Sequence, residues 1–439
     1  MNERNATTMQ TYEQAREWIS EFTAFGMRPG LDRVRMMLEG IGNPERRLKS
    51  IHVGGTNGKG STVTFLKEPM KEAGLVCGTF TSPYVHEFRE RIAINGDPIS
   101  EQDFLESANA VRPIAENIAK SAFGSPTEFE VLTVIAAHYF ASKAFADLVI
   151  WEVGLGGRLD STNAVHPMVS IITNVGHDHQ AILGDTIEEI AREKAGIIKS
   201  GVPVVTCETN PEALSIFEEA ATDARTRLYQ MNRDFEVINA QSNAHGWMFS
   251  FQSNLNHISD LEITMLGAHQ TKNAAAALMA FRYLVMYFAL PVDEEHIRTG
   301  LKKATWIGRL DYRKTKPPLL LDGAHNKEGM ESLAEALEEH FTGRRFHFIV
   351  GMTKEKDPDL LLDPLKRLSI ASASMVTFDF YRAAKAEDIT EKSPIPETKA
   401  YSSWKEAWET IKQKADTDDI VVFAGSLYFI SEVANFIKS

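Results

Sequence analysis

Only two cysteines, Cys77 and Cys207, occur in 439 residues. So sparse a pair builds neither a disulfide framework nor a zinc cluster, and it fits a reducing compartment. Long apolar runs are missing too: no stretch approaches the roughly 18 residues that a membrane-spanning helix requires. The segment Met1–Gln10 is polar and lacks the apolar centre of a secretory signal. Positive charge is in deficit, with 47 Lys and Arg against 60 Asp and Glu and a formal charge of −13. That balance argues against a broad nucleic-acid surface, which needs clustered lysine and arginine. An acidic chain that binds polyphosphate must concentrate positive potential locally, through a lysine, a helix N-terminus or metal ions. No internal repeat and no low-complexity segment is present. The expectation is a soluble, cytoplasmic monomer whose partners are small molecules, with no nucleic acid and no membrane.

What is there reads as ordinary globular protein, 43% apolar and 24% charged. At this length two domains are the default. Helices are expected over Tyr12–Phe22 and Leu31–Leu38, then a strand at Ser50–Val53, a glycine-rich loop and a helix from Ser61. Pro69 falls inside that helical pattern; an interior proline costs about 3 kcal/mol, so a kink or early end is expected there. Asp147–Val153, Met168–Val175 and Val202–Thr206 read as strands, and Thr186–Ala195 as a helix with Gly196 as its C-cap. Apolar strands alternating with helices predict a mostly parallel sheet covered on both faces. Phe235–Leu266 alternates in short strands and predicts an antiparallel excursion.

Helices at Gln270–Phe288 and Asp293–Lys303 follow, and then the alternation restarts. Leu319–Leu321, Phe346–Val350, Met375–Phe378 and Ile420–Phe423 read as strands. Met330–Phe341, Leu360–Leu368, Trp404–Lys412 and Ser431–Ile437 read as helices. The expected fold class is therefore α/β in two domains. Residues 1–303 form a P-loop-type unit with flanking helices and the small antiparallel excursion. Residues 304–439 form a smaller Rossmann-like unit, whose length of about 135 residues can hold its own core.

Ile51-His-Val-Gly-Gly-Thr-Asn-Gly-Lys-Gly-Ser61 is the strongest local signal. A strand, a glycine-rich turn and a helix start aim several backbone amides at one spot, where the helix dipole adds positive potential. Lys59 brings a full charge for the β- and γ-phosphates of a nucleotide. The common phosphate-loop signature wants Gly at 53 and Ser or Thr at 60; Val53 and Gly60 make this a variant. A purely structural turn is the competing reading, but it gives no reason for a lysine among glycines.

Taken whole, Gly55-Thr-Asn-Gly-Lys-Gly-Ser61 resembles the loop of the folylpolyglutamate synthase and dihydrofolate synthase family, relatives of the Mur peptide ligases. The resemblance extends through Thr81-Ser-Pro83 with Glu90-Arg-Ile92, similar to the family's omega loop. It continues through Glu152-Val-Gly-Leu-Gly-Gly-Arg-Leu-Asp-Ser-Thr-Asn163, Asp178-His179 and Glu193-Lys-Ala-Gly-Ile-Ile198. Asn273, Gly308-Arg309, Asp322-Gly-Ala-His-Asn326 and Gly425-Ser426 complete the set. The implied reaction transfers the γ-phosphate of ATP to a substrate carboxylate, and the amine of glutamate then displaces phosphate from the acyl phosphate. Bringing a carboxylate to ~3.5 Å from a phosphate oxygen costs roughly 5 kcal/mol per charge pair at an effective dielectric of about 20. Cationic groups must offset that repulsion.

By resemblance, Asn57, Gly58, Lys59, Gly60 and Ser61 cradle the phosphates, Asn273 contacts adenine, Arg309 the phosphates and Asp322 the nucleotide. Ser82, Glu152 and His179 would hold one magnesium ion, with a second near Ser61. Lys194 would be carbamylated by carbon dioxide, which requires a neutral, desolvated amine. Lys59, Lys194 and His325 are the implied catalytic groups, with His325 and Ser426 candidates for the incoming glutamate. Gly30-Leu31-Asp32-Arg33, Thr127-Glu128-Phe129-Glu130 and Leu159-Asp160-Ser161 match loops that hold the pterin-bearing substrate. Phe129 could stack on a flat ring.

Blander readings stand beside these. Glu152 ends an apolar strand, where open α/β sheets place ligand groups, but a solvated strand-end acid would look the same. His177 and His179 invite zinc, though only His166 lies near as a third ligand. Lys194 near a helix end is ordinarily a solvated dipole partner. Asp322 and Asn326 would cap the next helix, and Phe129 shares an apolar helix face with Leu132, Ile135, Ala136 and Tyr139. Two other functions compete. A Mur-type cell-wall ligase usually carries an extra N-terminal domain, for which a phosphate loop starting by residue 55 leaves too little room. An ATP-binding regulatory or transport module would hydrolyse or switch on nucleotide without any dependence on glutamate.

Overall fold

Ser50–Gly54 is buried along its whole length, and so are Cys77–Phe80, Leu148–Glu152, Val169–Ile172 and Val204–Thr206. Strands covered on both faces are apolar throughout rather than alternating. In the computed structural model, which describes residues 8–25, 28–243, 245–254 and 256–438, they form the centre of an eight-stranded sheet. Most of Met1–Gln10 lies outside the described residues. The spatial order is Asp97–Pro98, Ile92–Ile94, Cys77–Phe80, Leu148–Glu152, Ser50–Gly54, Val169–Ile172, Val204–Thr206 and Leu228–Gln230. From Cys77–Phe80 onward all pairs are parallel; the two strands at the other edge are antiparallel.

One face is covered by the helices Lys59–Glu72 and His269–Phe288, which share a core with the three-stranded antiparallel sheet at Phe235–Asn243, Gly246–Ser253 and His257–Ile263. The other face is covered by Tyr12–Ser20, Asp32–Gly40, Glu101–Ala119 and Glu128–Ser142. A second, six-stranded sheet runs Asp311–Arg313, Leu319–Leu321, Ile420–Ala424, Phe346–Val350, Ile370–Val376 and Lys399–Tyr401. It is parallel except for its first pair, and separate cores line its two faces. The expected α/β class, the antiparallel excursion and the second α/β unit are all present.

Some boundaries differ from expectation for physical reasons. The helix carrying Pro69 does not end early but runs to Glu72, because the proline lies in its last turn and is packed from outside. A Cβ on Gly300, in the helix Glu294–Lys303, would sit 2.3 Å from the Pro69 nitrogen. Gly196 caps its helix, yet its φ of −60° is right-handed. Its requirement for glycine is close approach, since a Cβ there would lie 2.3 Å from Arg158 Cα. The strand expected over Met168–Val175 stops at Ile172, freeing Thr173–Val175 to support the phosphate loop. Glu101–Ala119 and Pro211–Asp223 are helical as well, two elements absent from the sequence expectation.

Gly300→Ala tests the helix contact. Alanine gains about 1 kcal/mol of helix propensity over glycine, but the atoms it meets are backbone and cannot swing away. Overpacking of about 1–3 kcal/mol should dominate, and the urea midpoint should fall; a raised midpoint would show that the helices separate freely.

Candidate active site

The phosphate loop leaves the central strand at Gly54 and is shaped by its neighbours. Gly55 has φ +139° and Gly58 +83°, and a Cβ at these positions would fall 1.8 Å from Thr173 Oγ1 and 2.4 Å from Asn273 Oδ1. Gly60 lies under the Trp306 ring, whose Cε2 would be 3.1 Å from an added Cβ. Asn174 accepts the amides of Thr56 and Asn57, at its backbone and side-chain oxygens, both at 2.9 Å. Thr173 Oγ1 donates to the Asn57 carbonyl at 2.6 Å. The following helix begins at Lys59 with no side-chain cap at Gly58, so its first amides remain available to an anion. Lys59 Nζ donates to the Gly55 and Thr56 carbonyls at 3.0 Å each. Burial lowers its pKa, against which the Glu152 and Asp178 carboxylates act.

Glu152 is buried at the end of its strand, and its Oε2 accepts the Ser82 amide at 3.2 Å. Burial pushes its pKa up to about 7, with Lys59 the main opposing charge. Lys194 is 3% exposed, and its ammonium has no hydrogen bond or ion pair among the described residues. Burial, then the charge of Lys59, lowers its pKa to about 7. His179 is different: its side chain is 41% exposed and its φ is +53°. Its pKa is lowered chiefly by burial, with Asp178 opposing.

No three His, Cys, Asp or Glu side chains among the described residues converge into a ready-made metal site. Magnesium nevertheless asks for little from protein: one or two carboxylates, with phosphate oxygens and waters filling the octahedron. A buried carboxylate such as Glu152, short of hydrogen-bond donors and facing the phosphate loop, fits that demand.

The second unit reaches this centre directly. Asn57 and Asn326 exchange amide hydrogen bonds at 3.2 and 3.1 Å, and Asn326 also caps its own helix through Gly329. Asp178, 7% exposed, accepts from Lys356 Nζ at 2.6 Å and Asn326 Nδ2 at 3.2 Å, with His325 Nε2 at 3.3 Å. Burial opposes its ionisation, but the His325 hydrogen bond and the charges of His325, His179 and Lys356 outweigh burial and hold its carboxyl well below the usual range. Asp322 is occupied within its own loop, accepting the Leu310 and Ala324 amides at 2.8 Å each. Burial raises its pKa and Arg309 opposes. The Arg309 guanidinium has no hydrogen bond or ion pair among the described residues. Ser426, buried, accepts the Tyr428 amide at 3.2 Å.

The middle-domain model of the Mur ligases matches residues 53–281, and the Mur ligase glutamate ligase domain matches residues 308–427. The chain is 40% identical over 431 residues to the dihydrofolate synthase/folylpolyglutamate synthase of Bacillus subtilis, spanning 97% of this chain and 99% of that one. The chain belongs to the folylpolyglutamate synthase and dihydrofolate synthase family. The folylpolyglutamate synthase of Lacticaseibacillus casei is 32% identical over 423 residues, 96% of this chain and 97% of that one. A crystal structure of a folylpolyglutamate synthase from Thermotoga maritima superposes with a TM-score of 0.85 at 33% identity, covering 98% of this chain and 97% of that one. A folylpolyglutamate synthase complex with AMPPCP and folate gives 0.85 at 31% identity, covering 98% and 100%.

In this synthase-family chain the three segments matched to substrate loops meet. The Gly30 amide donates to the Leu159 carbonyl at 3.4 Å. Arg33 Nε reaches both Glu130 oxygens at 3.1 Å, and Glu130 closes a capping box with Thr127. Glu128 accepts from Thr23 at 2.8 Å and lies 3.5 Å from Arg91. The Phe129 ring packs on Phe80, centroids 5.5 Å apart, and fills the space beside Gly154. Leu31 packs against the same apolar core. Asp32 opens the helix Asp32–Gly40, and Ser161 begins the short turn that Asp160 caps.

The sequence by itself gives no role to Lys356, Trp306, Thr173, Asn174 or Asp178, and gives Asn326 only the helix cap that it does make. Lys356 lies past the C-terminal end of a parallel strand, Phe346–Val350, where ligand groups collect, and that was the available signal.

Lys194 should leave a trace in the stability of the ligand-free protein. Between about 7 and its ordinary value of 10.5, the unfolded chain holds a proton on this group that the folded chain does not. Unfolding free energy therefore gains a positive slope with pH in that window. Lys194→Met should flatten the slope in urea melts from pH 7 to 9 in decarbonated buffer; an unchanged slope places the effect elsewhere.

Proposed function

We propose that this chain is an ATP-dependent ligase that joins L-glutamate to the carboxylate of a folate-type acid. The observation that carries the reading is the hydrogen-bonded meeting of the phosphate loop with the Asp322–Asn326 loop, at Asn57 and Asn326. A nucleotide on the first unit then faces groups of the second across the cleft, and closure of the two units over it would protect an acyl phosphate from hydrolysis. The whole-length relatives are dihydrofolate and folylpolyglutamate synthases, so neither the cell-wall ligase nor the regulatory module is retained.

In this reading the amides of Gly58, Gly60 and Ser61 cradle the triphosphate, Asn57, whose own amide is held by Asn174, shapes the loop beside them, and Lys59 leaves its loop carbonyls for the β- and γ-phosphates. Arg309, without an ion-pair partner among the described residues, takes phosphate charge; Asn273 lies behind Gly58 at the nucleotide, and Asp322 holds its loop in shape beside it. Ser82, Glu152 and His179 would hold magnesium, with a second ion near Ser61, and bound metal would screen phosphate from carboxylate. The acid's carboxylate oxygen attacks the γ-phosphorus and ADP leaves. The glutamate amine then attacks the acyl carbon, loses a proton and expels phosphate. His325 and Ser426 face the incoming glutamate.

A neutral Lys194 amine can add carbon dioxide and lose one proton, giving an anionic carbamate that supports the second ion. The chain divides at 303/304 into an ATP-binding unit and a glutamate-ligase unit. It works as a cytoplasmic monomer.

The test incubates purified protein with ATP, magnesium and labelled glutamate, offering dihydropteroate and tetrahydrofolate separately. Label should enter at least one acid, and Lys59→Ala should lower product by at least about a hundredfold with unchanged circular dichroism. Label in neither acid, or full turnover in the variant, defeats the reading. With carbon-13 bicarbonate, a carbamate resonance should appear in the wild type and vanish in Lys194→Met; no resonance at alkaline pH rules out the modification.

A further inference from the structure

His52 sits on the central strand one turn of chain before the phosphate loop, fully buried, and plays no part in the scheme above. Its Nε2 lies 2.8 Å from Thr162 Oγ1. That hydroxyl has one proton, and it goes to Asp160 Oδ1, which also accepts the Thr162 amide at 3.0 Å. Thr162 Oγ1 must therefore accept from His52, which places the imidazole proton on Nε2. The other nitrogen, Nδ1, is buried with no hydrogen-bond partner among the described residues. Leaving a buried acceptor bare is costly, so the ring is held for what Nε2 does. Burial, then the charge of Lys199, pushes its pKa down to about 3 and keeps the ring neutral.

The far end of this chain of bonds reaches the substrate loops. Asp160 Oδ2 accepts the Leu155 amide at 2.9 Å, and it would lie 3.1 Å from a Cβ on Gly154, where the Phe129 ring also closes in. Asp160 is also within electrostatic reach of Lys59 and Glu152. A rotation of its carboxylate would release the 153–160 loop from the ring beside it.

We propose that His52 is a positioning residue: through Thr162 it orients Asp160, and so ties the strand that carries the phosphate loop to the loop that receives the folate-type acid. The inference rests on the ligase reading for its substrate, but its geometry is independent of it. Because the histidine faces Thr162 rather than the triphosphate, its loss should weaken acid binding and spare ATP binding.

Three variants test this: His52→Leu, which removes the donor; Thr162→Val, which removes the relay; and His52→Gln, whose Nε2 amide can still donate. His52→Leu and Thr162→Val should each raise KM for the acid by about tenfold or more while KM for ATP stays within about twofold. His52→Gln should restore most of the loss. Combining His52→Leu with Thr162→Val should add little, since the two act in series. Hydrogen exchange gives a readout free of turnover: peptides over 153–163 should exchange faster in His52→Leu and Thr162→Val but not in His52→Gln.

His52→Gln as impaired as His52→Leu in both readouts would mean that ring volume matters and the donor does not, overturning the proposal. So would equal rises in both KM values, or exchange in 153–163 unchanged by His52→Leu. If the wild type ligates no folate-type acid, the ligase reading fails on its own and the exchange pattern decides the brace.

Discussion

Asp178 is a buried carboxylate on the first unit whose side-chain partners come mainly from the second unit, and these, with His179, favour its ionised form. Lys356, His325 and Asn326 all reach it from the far side of the cleft. Removing one member of such a set leaves charge uncompensated in a poor solvent, at a cost of about 3–5 kcal/mol. The two sheets are thus held together where the chemistry needs them to meet. The same contact brings Asn326 onto Asn57, so the glycine-rich loop after the central strand and the Asp322–Asn326 loop are braced by one cluster.

The electrostatics of the centre are arranged by burial more than by pairing. Glu152 and Lys194, one acid and one base, are both drawn toward about 7. Lys59 stands between the two effects, favouring the Glu152 anion and disfavouring the Lys194 cation. Each group is thus poised to change state when a polyanionic ligand and its counterions arrive. Poised groups in a cleft are a mark of function, and here they flank the phosphate loop.

Several residues that resemblance marks for substrate are fully engaged with protein in this structure. Arg33 with Glu130, Thr127 with Glu130, and Asp160 with Leu155 and Thr162 saturate one another. Their contribution is then to hold Phe129 and the glycine-rich 153–157 segment in shape, and under the proposed function the ring edge and backbone would be left to meet the ligand. This division between rigid polar support and contact surface is how a loop site becomes precise.

The order of strands and helices, the antiparallel excursion and the phosphate loop itself could be read from the chain, because apolar runs, glycine spacing and a lone lysine are local signals. The ordered motifs likewise gave the family and its chemistry. Pro69 misled because its cost depends on where the helix ends; Gly196 caps its helix as expected, but its need for glycine comes from Arg158, 38 residues away. Nothing local distinguished Lys194 from a solvated helix-end lysine or Asp178 from a turn acid. Their state follows from burial and from partners more than a hundred residues distant, and only the folded packing of the two units supplies those.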